Sequence, residues 1–143
     1  MTPYEAIETN WESFVKMFGW NEHRQNLLEL LQLLCTELTT LFPEEYTIWV
    51  DGSFVTRKDR PNDLDVVFIL PAEKYEVVEN ELRLLRNQFA GLDVYFIKLI
   101  EEGEPNYFLY ISDRIEWLFQ FTKTRPDRYT RRKQPKGFIQ LRW

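Results

Sequence analysis

Apolar residues recur at helical spacing along the first third of the chain. Tyr4, Ile7, Trp11, Phe14, Val15 and Phe18 predict a helix over Pro3 to Phe18, with Thr2 as its cap and Gly19 as its stop. Asn21 caps a second helix whose Leu27, Leu28, Leu30, Leu31, Leu33, Leu34, Leu38 and Leu41 form a broad band, either core or a partner surface. Phe42-Pro43 breaks that helix, and Tyr46 to Val50 reads as a first strand. Val66 to Leu70 is an unbroken apolar run, as in a strand buried on both faces. Pro71 then opens one connecting helix through Val77, Val78, Leu82, Leu85 and Phe89 to Gly91, and Leu92 to Ile97 forms the next strand. Gly103 and Pro105 mark a loop. Tyr107 to Phe121 predicts a last helix, with strand character left open over Tyr107 to Ile111, and Gly137 to Leu141 predicts an edge strand packed back on the body.

The strand periodicity brings chemistry into view. Side chains alternate along a strand, so Asp63 and Asp65 share one face at the mouth of the Val66 to Leu70 strand. Carboxylates that close repel unless a cation lies between them, and hard oxygen donors suit Mg²⁺ or Mn²⁺. Asp93, near the start of the following strand, joins them if the two strands are sheet neighbours. Upstream, Gly52 permits close approach of a phosphate and Ser53 offers an amide and a hydroxyl, a turn of the kind that cradles anions. Thr56, Arg57, Lys58 and Arg60 add donors, and Pro61 holds the chain extended into Asn62 and Asp63. Each feature also has a plainer reading: Asp63 and Asp65 as a solvated loop end, Gly91-Leu92-Asp93 as a helix stop, Thr56 and Lys58 as turn residues, and Arg57, Asp59 and Arg60 as solvent-facing.

The stretch Gly52-Ser53-Phe54-Val55-Thr56-Arg57-Lys58-Asp59-Arg60-Pro61-Asn62-Asp63-Leu64-Asp65-Val66-Val67, with Asp93 beyond it, resembles the polymerase-beta superfamily of nucleotidyltransferases. Within that superfamily it looks like the small, largely uncharacterised bacterial members. The resemblance spans roughly residues 46 to 99, about a third of the chain. It implies an α+β fold with a small mixed β-sheet and flanking helices. It further implies that Asp63 and Asp65 bind two metal ions with a nucleoside triphosphate, and that Asp93 helps deprotonate or position the attacking hydroxyl. Gly52 and Ser53 would hold the β- and γ-phosphates, with Thr56 and Lys58 as further nucleotide contacts. The chain ends 50 residues after Asp93, too short for the separate helical domain of larger members, so the acceptor surface is expected from the N-terminal helices, a second copy or another protein. A toxin–antitoxin or phage-defence setting is suggested by the same likeness.

Composition bounds these readings. The 143 residues suit one domain with a real core, to which 11 Phe, 7 Tyr and 5 Trp contribute volume. No apolar stretch reaches membrane-spanning length and the N-terminus lacks an export pattern, so a cytoplasmic protein is expected. One cysteine, Cys35, excludes an internal disulfide and falls on the leucine band as core; one histidine, His23, reads as a surface residue. Zinc sites of His/Cys type and Ser-His-Asp catalysis therefore lack parts. Charge is polarised: residues 123–143 hold eight Lys or Arg against Asp127, a net +7, which leaves −12 on residues 1–122 of a chain whose total is −5. That basic tail, with Tyr129, Phe138 and Trp143, either contacts RNA or nucleotide phosphates or folds over the acidic body. The sequence thus predicts an Mg²⁺-dependent transfer of a nucleoside monophosphate to a hydroxyl on RNA, protein or a small molecule. The rival from another class is a non-catalytic nucleotide- or partner-binding module on the same fold.

Overall fold

A computed structural model describes the backbone over residues 6–51, 64–121, 123–126, 133–135 and 138–143, and side chains over 8–50, 64–119 and 138–143. In chain order the elements are β1 (Ala6–Glu8), α1 (Trp11–Phe18), α2 (Glu22–Leu41), β2 (Thr47–Asp51), β3 (Leu64–Pro71), α3 (Ala72–Val77), α4 (Glu79–Gln88), β4 (Leu92–Leu99), α5 (Tyr107–Phe121), β5 (Lys123–Pro126), β6 (Lys133–Pro135) and β7 (Phe138–Arg142). A five-stranded sheet of order β1-β7-β2-β3-β4 organises them, while β5 and β6 pair separately. The sheet is mixed: β7–β2 and β2–β3 run antiparallel, whereas β1–β7 and β3–β4 run parallel. The expected α+β architecture with a mixed sheet and flanking helices is therefore observed.

Helices cover both faces. Phe14 of α1, Leu27, Leu28, Leu31, Leu34 and Leu38 of α2, and Leu82 and Leu85 of α4 pack on the face carrying Ile48, Val50, Val66, Phe68 and Val94. The leucine band of α2 is thus core, and Leu33 is its strongly exposed exception. On the opposite face Trp49, Val67, Ile69, Ile97 and Phe138 meet Tyr110 of α5, with Trp117 and Leu118 alongside. Strand β3 alternates between the two cores, which is why its sequence is apolar without a break.

Three expectations need correction. The first helix does not begin at Pro3: Ala6–Glu8 pairs with Phe138–Gln140, and α1 starts only after Asn10, whose side chain accepts the Ser13 amide at 2.8 Å. That cap supplies the orphan first-turn donor with a partner, so the Ile7–Trp11 spacing is not helical continuity. The single helix expected between β3 and β4 is two, because Val78 leaves helical geometry at φ −110°, ψ 21°. Its side chain is buried while Val77 is exposed, so the break turns a stiff β-branched residue inward at the cost of the helix axis. The predicted edge strand, β7, lies inside the sheet, since β1 adds on its outer side. Over Tyr107–Phe121 the open alternative resolves to helix throughout.

Buried polar groups are tied down where the helices meet. Arg24, fully buried, donates from Nη1 to the Phe18 carbonyl at 2.9 Å and lies 3.7 Å from the centre of the Trp20 ring. The Tyr46 hydroxyl donates to the Cys35 carbonyl at 3.0 Å, joining the strand entrance to the middle of α2. No helix among the described residues is long and apolar enough to cross a membrane.

Candidate functional site

The candidate acids gather where β2 ends and β3 and β4 begin. Parallel pairing sets Asp65 directly beside Asp93, and antiparallel pairing sets the backbone of Asp51 opposite Asp65. Three aspartate positions therefore form one row across three adjacent strands, each step about 4.8 Å. Asp65 is half-buried and Asp93 exposed, as befits groups at the rim of a sheet whose next residues inward, Val67 and Tyr95, pack under α5.

This register follows from one glycine. Gly91 has φ +97°, a conformation that ordinary side chains adopt only with strain, and its carbonyl accepts the Leu64 amide at 2.9 Å. The chain leaving α4 is thereby pinned to the first residue of β3, one position before Asp65, and Asp93 comes into line with it. Gly91-Leu92-Asp93 is a strand entrance, and the helix-stop alternative does not describe it: α4 ends at Gln88.

Of the remaining predicted site residues, Gly52, Ser53, Thr56, Lys58 and Asp63 lie outside the described residues, as do Arg57, Asp59 and Arg60. Among the described residues no group of three or more His, Cys, Asp or Glu could hold a metal ion. Asp65 and Asp93 are hard oxygen donors of the kind appropriate to Mg²⁺ or Mn²⁺.

Neighbours of the acid row were not evident from sequence. Asp51 closes β2, and only the antiparallel register with β3 reveals its place; counting two residues on from Trp49 would have flagged its register position. Tyr95, two residues beyond Asp93, packs against Trp117 of α5 at 4.6 Å between ring centres with the rings tilted by 46°, and the Arg86 guanidinium of α4 lies 5.4 Å from the Tyr95 ring. This places an aromatic pair and a cation against the strand that carries Asp93. Nothing in their spacing along the chain announces the cluster.

Other reactive groups are unsuited to catalysis. Burial pushes the Cys35 thiol up to about 12, so it stays protonated and inert, consistent with its place in the core. Desolvation likewise raises the Tyr46 hydroxyl. His23 sits half-buried in the first turn of α2, far in sequence from the acid row.

Comparison with known proteins adds a family. Residues 1–142 match a family of unknown function, DUF6932. The chain belongs to that family. No curated protein and no solved structure matches it. Membership covers nearly the whole chain, from before β1 to the last strand, so the outer strands and α5 belong to the same family unit as the acid row.

Proposed function

We propose that this DUF6932 protein is a metal-dependent nucleotidyltransferase that moves a nucleoside monophosphate from a nucleoside triphosphate to a hydroxyl acceptor. The observation that carries the reading is the in-register placement of Asp65 beside Asp93 on parallel neighbouring strands, at the end of the sheet where β2 runs into Gly52-Ser53. An acid pair there stands at the strand end that the Gly52-Ser53 sequence follows, a sequence suited to hold a triphosphate.

In this reading the acceptor hydroxyl oxygen attacks the α-phosphorus, a new P–O bond forms, the bond to the bridging oxygen breaks, and pyrophosphate leaves. Asp93, exposed at the rim, receives the hydroxyl proton or holds that hydroxyl in line. Gly52 and Ser53 donate to the β- and γ-phosphates, with Thr56 and Lys58 beside them. Asp63 and Asp65 hold Mg²⁺ or Mn²⁺, whose charge, when bound, offsets that of the triphosphate oxygens. Tyr95, backed by Trp117, offers an aromatic edge next to Asp93 for a base or an acceptor ring.

The test is label transfer from each α-labelled nucleoside triphosphate into cell extract, with EDTA, Asp65→Asn and Asp93→Asn as comparisons. Transfer that needs metal and falls by about 10²-fold or more in either variant is the expected result. Equal labelling by native and variant protein would sink the proposal. Metal-independent nucleotide binding without transfer would instead favour the non-catalytic module.

A further inference from the structure

The same sheet face carries a second feature at its far end. Pro71 lies six residue steps along β3 from Asp65, which is about 20 Å of strand. There a cavity of about 320 Å³ opens between α5 and the ends of β2, β3, β4 and β7. That volume lies at the small end of the range, roughly 300–1,000 Å³, in which small-molecule sites fall.

Its walls are chemically uneven. Ile69, Pro71 and Leu99 supply an apolar side. Trp49 and Gln140 line it too, but their polar atoms are engaged: the Trp49 indole Nε1–H donates to Gln140 Oε1 at 2.9 Å, and Gln140 Nε2 donates to Glu8 at 3.2 Å. Arg142 is also committed, to Glu45 at 3.4 Å, and both belong to the cavity, so they cancel.

What remains is Arg114 of α5. Among the described residues its guanidinium has neither an ion-pair partner nor a hydrogen bond, and it leaves the cavity with one net positive charge. Tyr110, one helical turn earlier, is 8% exposed, and its hydroxyl makes no hydrogen bond to a described residue. A tyrosine hydroxyl at a cavity wall is available to donate to whatever occupies the cavity. A solvent-exposed cation and a buried tyrosine, neither with a hydrogen-bond acceptor among the described residues, therefore line one small cavity with an apolar wall.

We propose that this cavity binds a small molecule that joins one carboxylate or phosphate group to a compact apolar body, with Arg114 and Tyr110 donating to the anionic oxygens. The apolar wall of Ile69, Pro71 and Leu99 takes the body of the ligand, which a free inorganic ion lacks. The cavity runs along the strands from Trp49, which lies in register with Val67 two residues from Asp65, to Pro71, about 20 Å from Asp65; binding in it is read by titration, independently of the label transfer that tests the proposed reaction.

The experiment is a titration of the full chain followed by ¹⁵N NMR. The Trp49 indole N–H, held at the cavity by Gln140, serves as the reporter. The probes are benzoate, phenyl phosphate, inorganic phosphate and neutral benzamide. Saturable shifts of that resonance are expected with benzoate or phenyl phosphate, and none with benzamide. Arg114→Gln should weaken binding roughly tenfold to hundredfold, the loss expected for one charge-assisted hydrogen bond. Tyr110→Phe should weaken it several-fold without lowering thermal stability, because the hydroxyl it removes has no partner among the described residues. The proposal is overturned if benzamide binds as well as benzoate, if Arg114→Gln retains full affinity, if inorganic phosphate binds as tightly as phenyl phosphate, or if no probe shifts the reporter at 20 mM, roughly the weak edge of specific binding.

Discussion

Asp93→Asn separates the electrostatic cost of the acid row from its use. Asp65 and Asp93 are direct cross-strand neighbours, about 4.8 Å apart at the backbone. Two like charges about 5 Å apart in water repel by about 0.8 kcal/mol, and 0.1 M salt reduces this to about 0.5 kcal/mol. The water value is the right one here because Asp93 is exposed. A 143-residue chain has an unfolding entropy near 0.3 kcal/mol/K, so removing the repulsion should raise Tm by about 2 °C in EDTA. Metal should reverse the ranking. At ten times its Kd a divalent ion stabilises the native protein by about 1.4 kcal/mol, or roughly 5 °C, and the variant should gain much less. Scanning calorimetry with EDTA and then with graded Mg²⁺ or Mn²⁺ reads both signs. If the Asp93→Asn variant melts below the native protein in EDTA, or if metal raises native and variant Tm equally, the carboxylates do not share an ion.

Gly91→Ala should cost about 1–2 kcal/mol by urea unfolding, since φ is +97° and the new methyl would stand 3.1 Å from Leu27 Cδ2; an unchanged midpoint would mean the β4 entrance relaxes freely. Arg24→Leu should cost about 2–3 kcal/mol, because the Phe18 carbonyl loses its charged donor and Trp20 its stacked cation; a smaller loss in the same urea assay would show that neither contact matters. Stability should also fall in alkali. The Cys35 thiol is raised from its ordinary 9.0 to about 12 by burial, so its contribution is complete below 9.0 and is lost as pH climbs toward about 12, by up to about 1.4 kcal/mol per pH unit. Tyr46, also raised, acts with the same sign, and urea midpoints from pH 7 to 11 should show a shallower fall in Cys35→Ala.

Local signals were legible where a single residue type enforces them. Asn21 caps α2 through its own side chain, Phe42-Pro43 stops it, and the apolar run through Leu70 reads as a strand buried on both faces. Where two structures share a pattern, the reading failed. Ala6-Ile7-Glu8 fits a helix period as well as a strand, and only the Phe138–Gln140 backbone beside it decides for the strand. The Val77-Val78 pair fits a continuous helix until burial of Val78 against the sheet requires a break. Asp65 and Asp93 were marked by chemistry, but their adjacency is a property of register; Asp51 had only its two-residue step from Trp49 to flag it, and Tyr95 and Arg86 carried no signal that spacing could reveal.

The order of amino acids alone determined which segments are helix or strand through most of the body, which faces are apolar, and which acids sit at strand mouths, because capping, alternation and turn chemistry act within a few residues. Tertiary structure decided which strands are neighbours, that β7 is enclosed, that α2 is core, and that Arg114 and Tyr110 share a cavity. Those outcomes depend on hydrogen-bond register and on packing between segments tens of residues apart, and neither leaves a periodic trace along the chain.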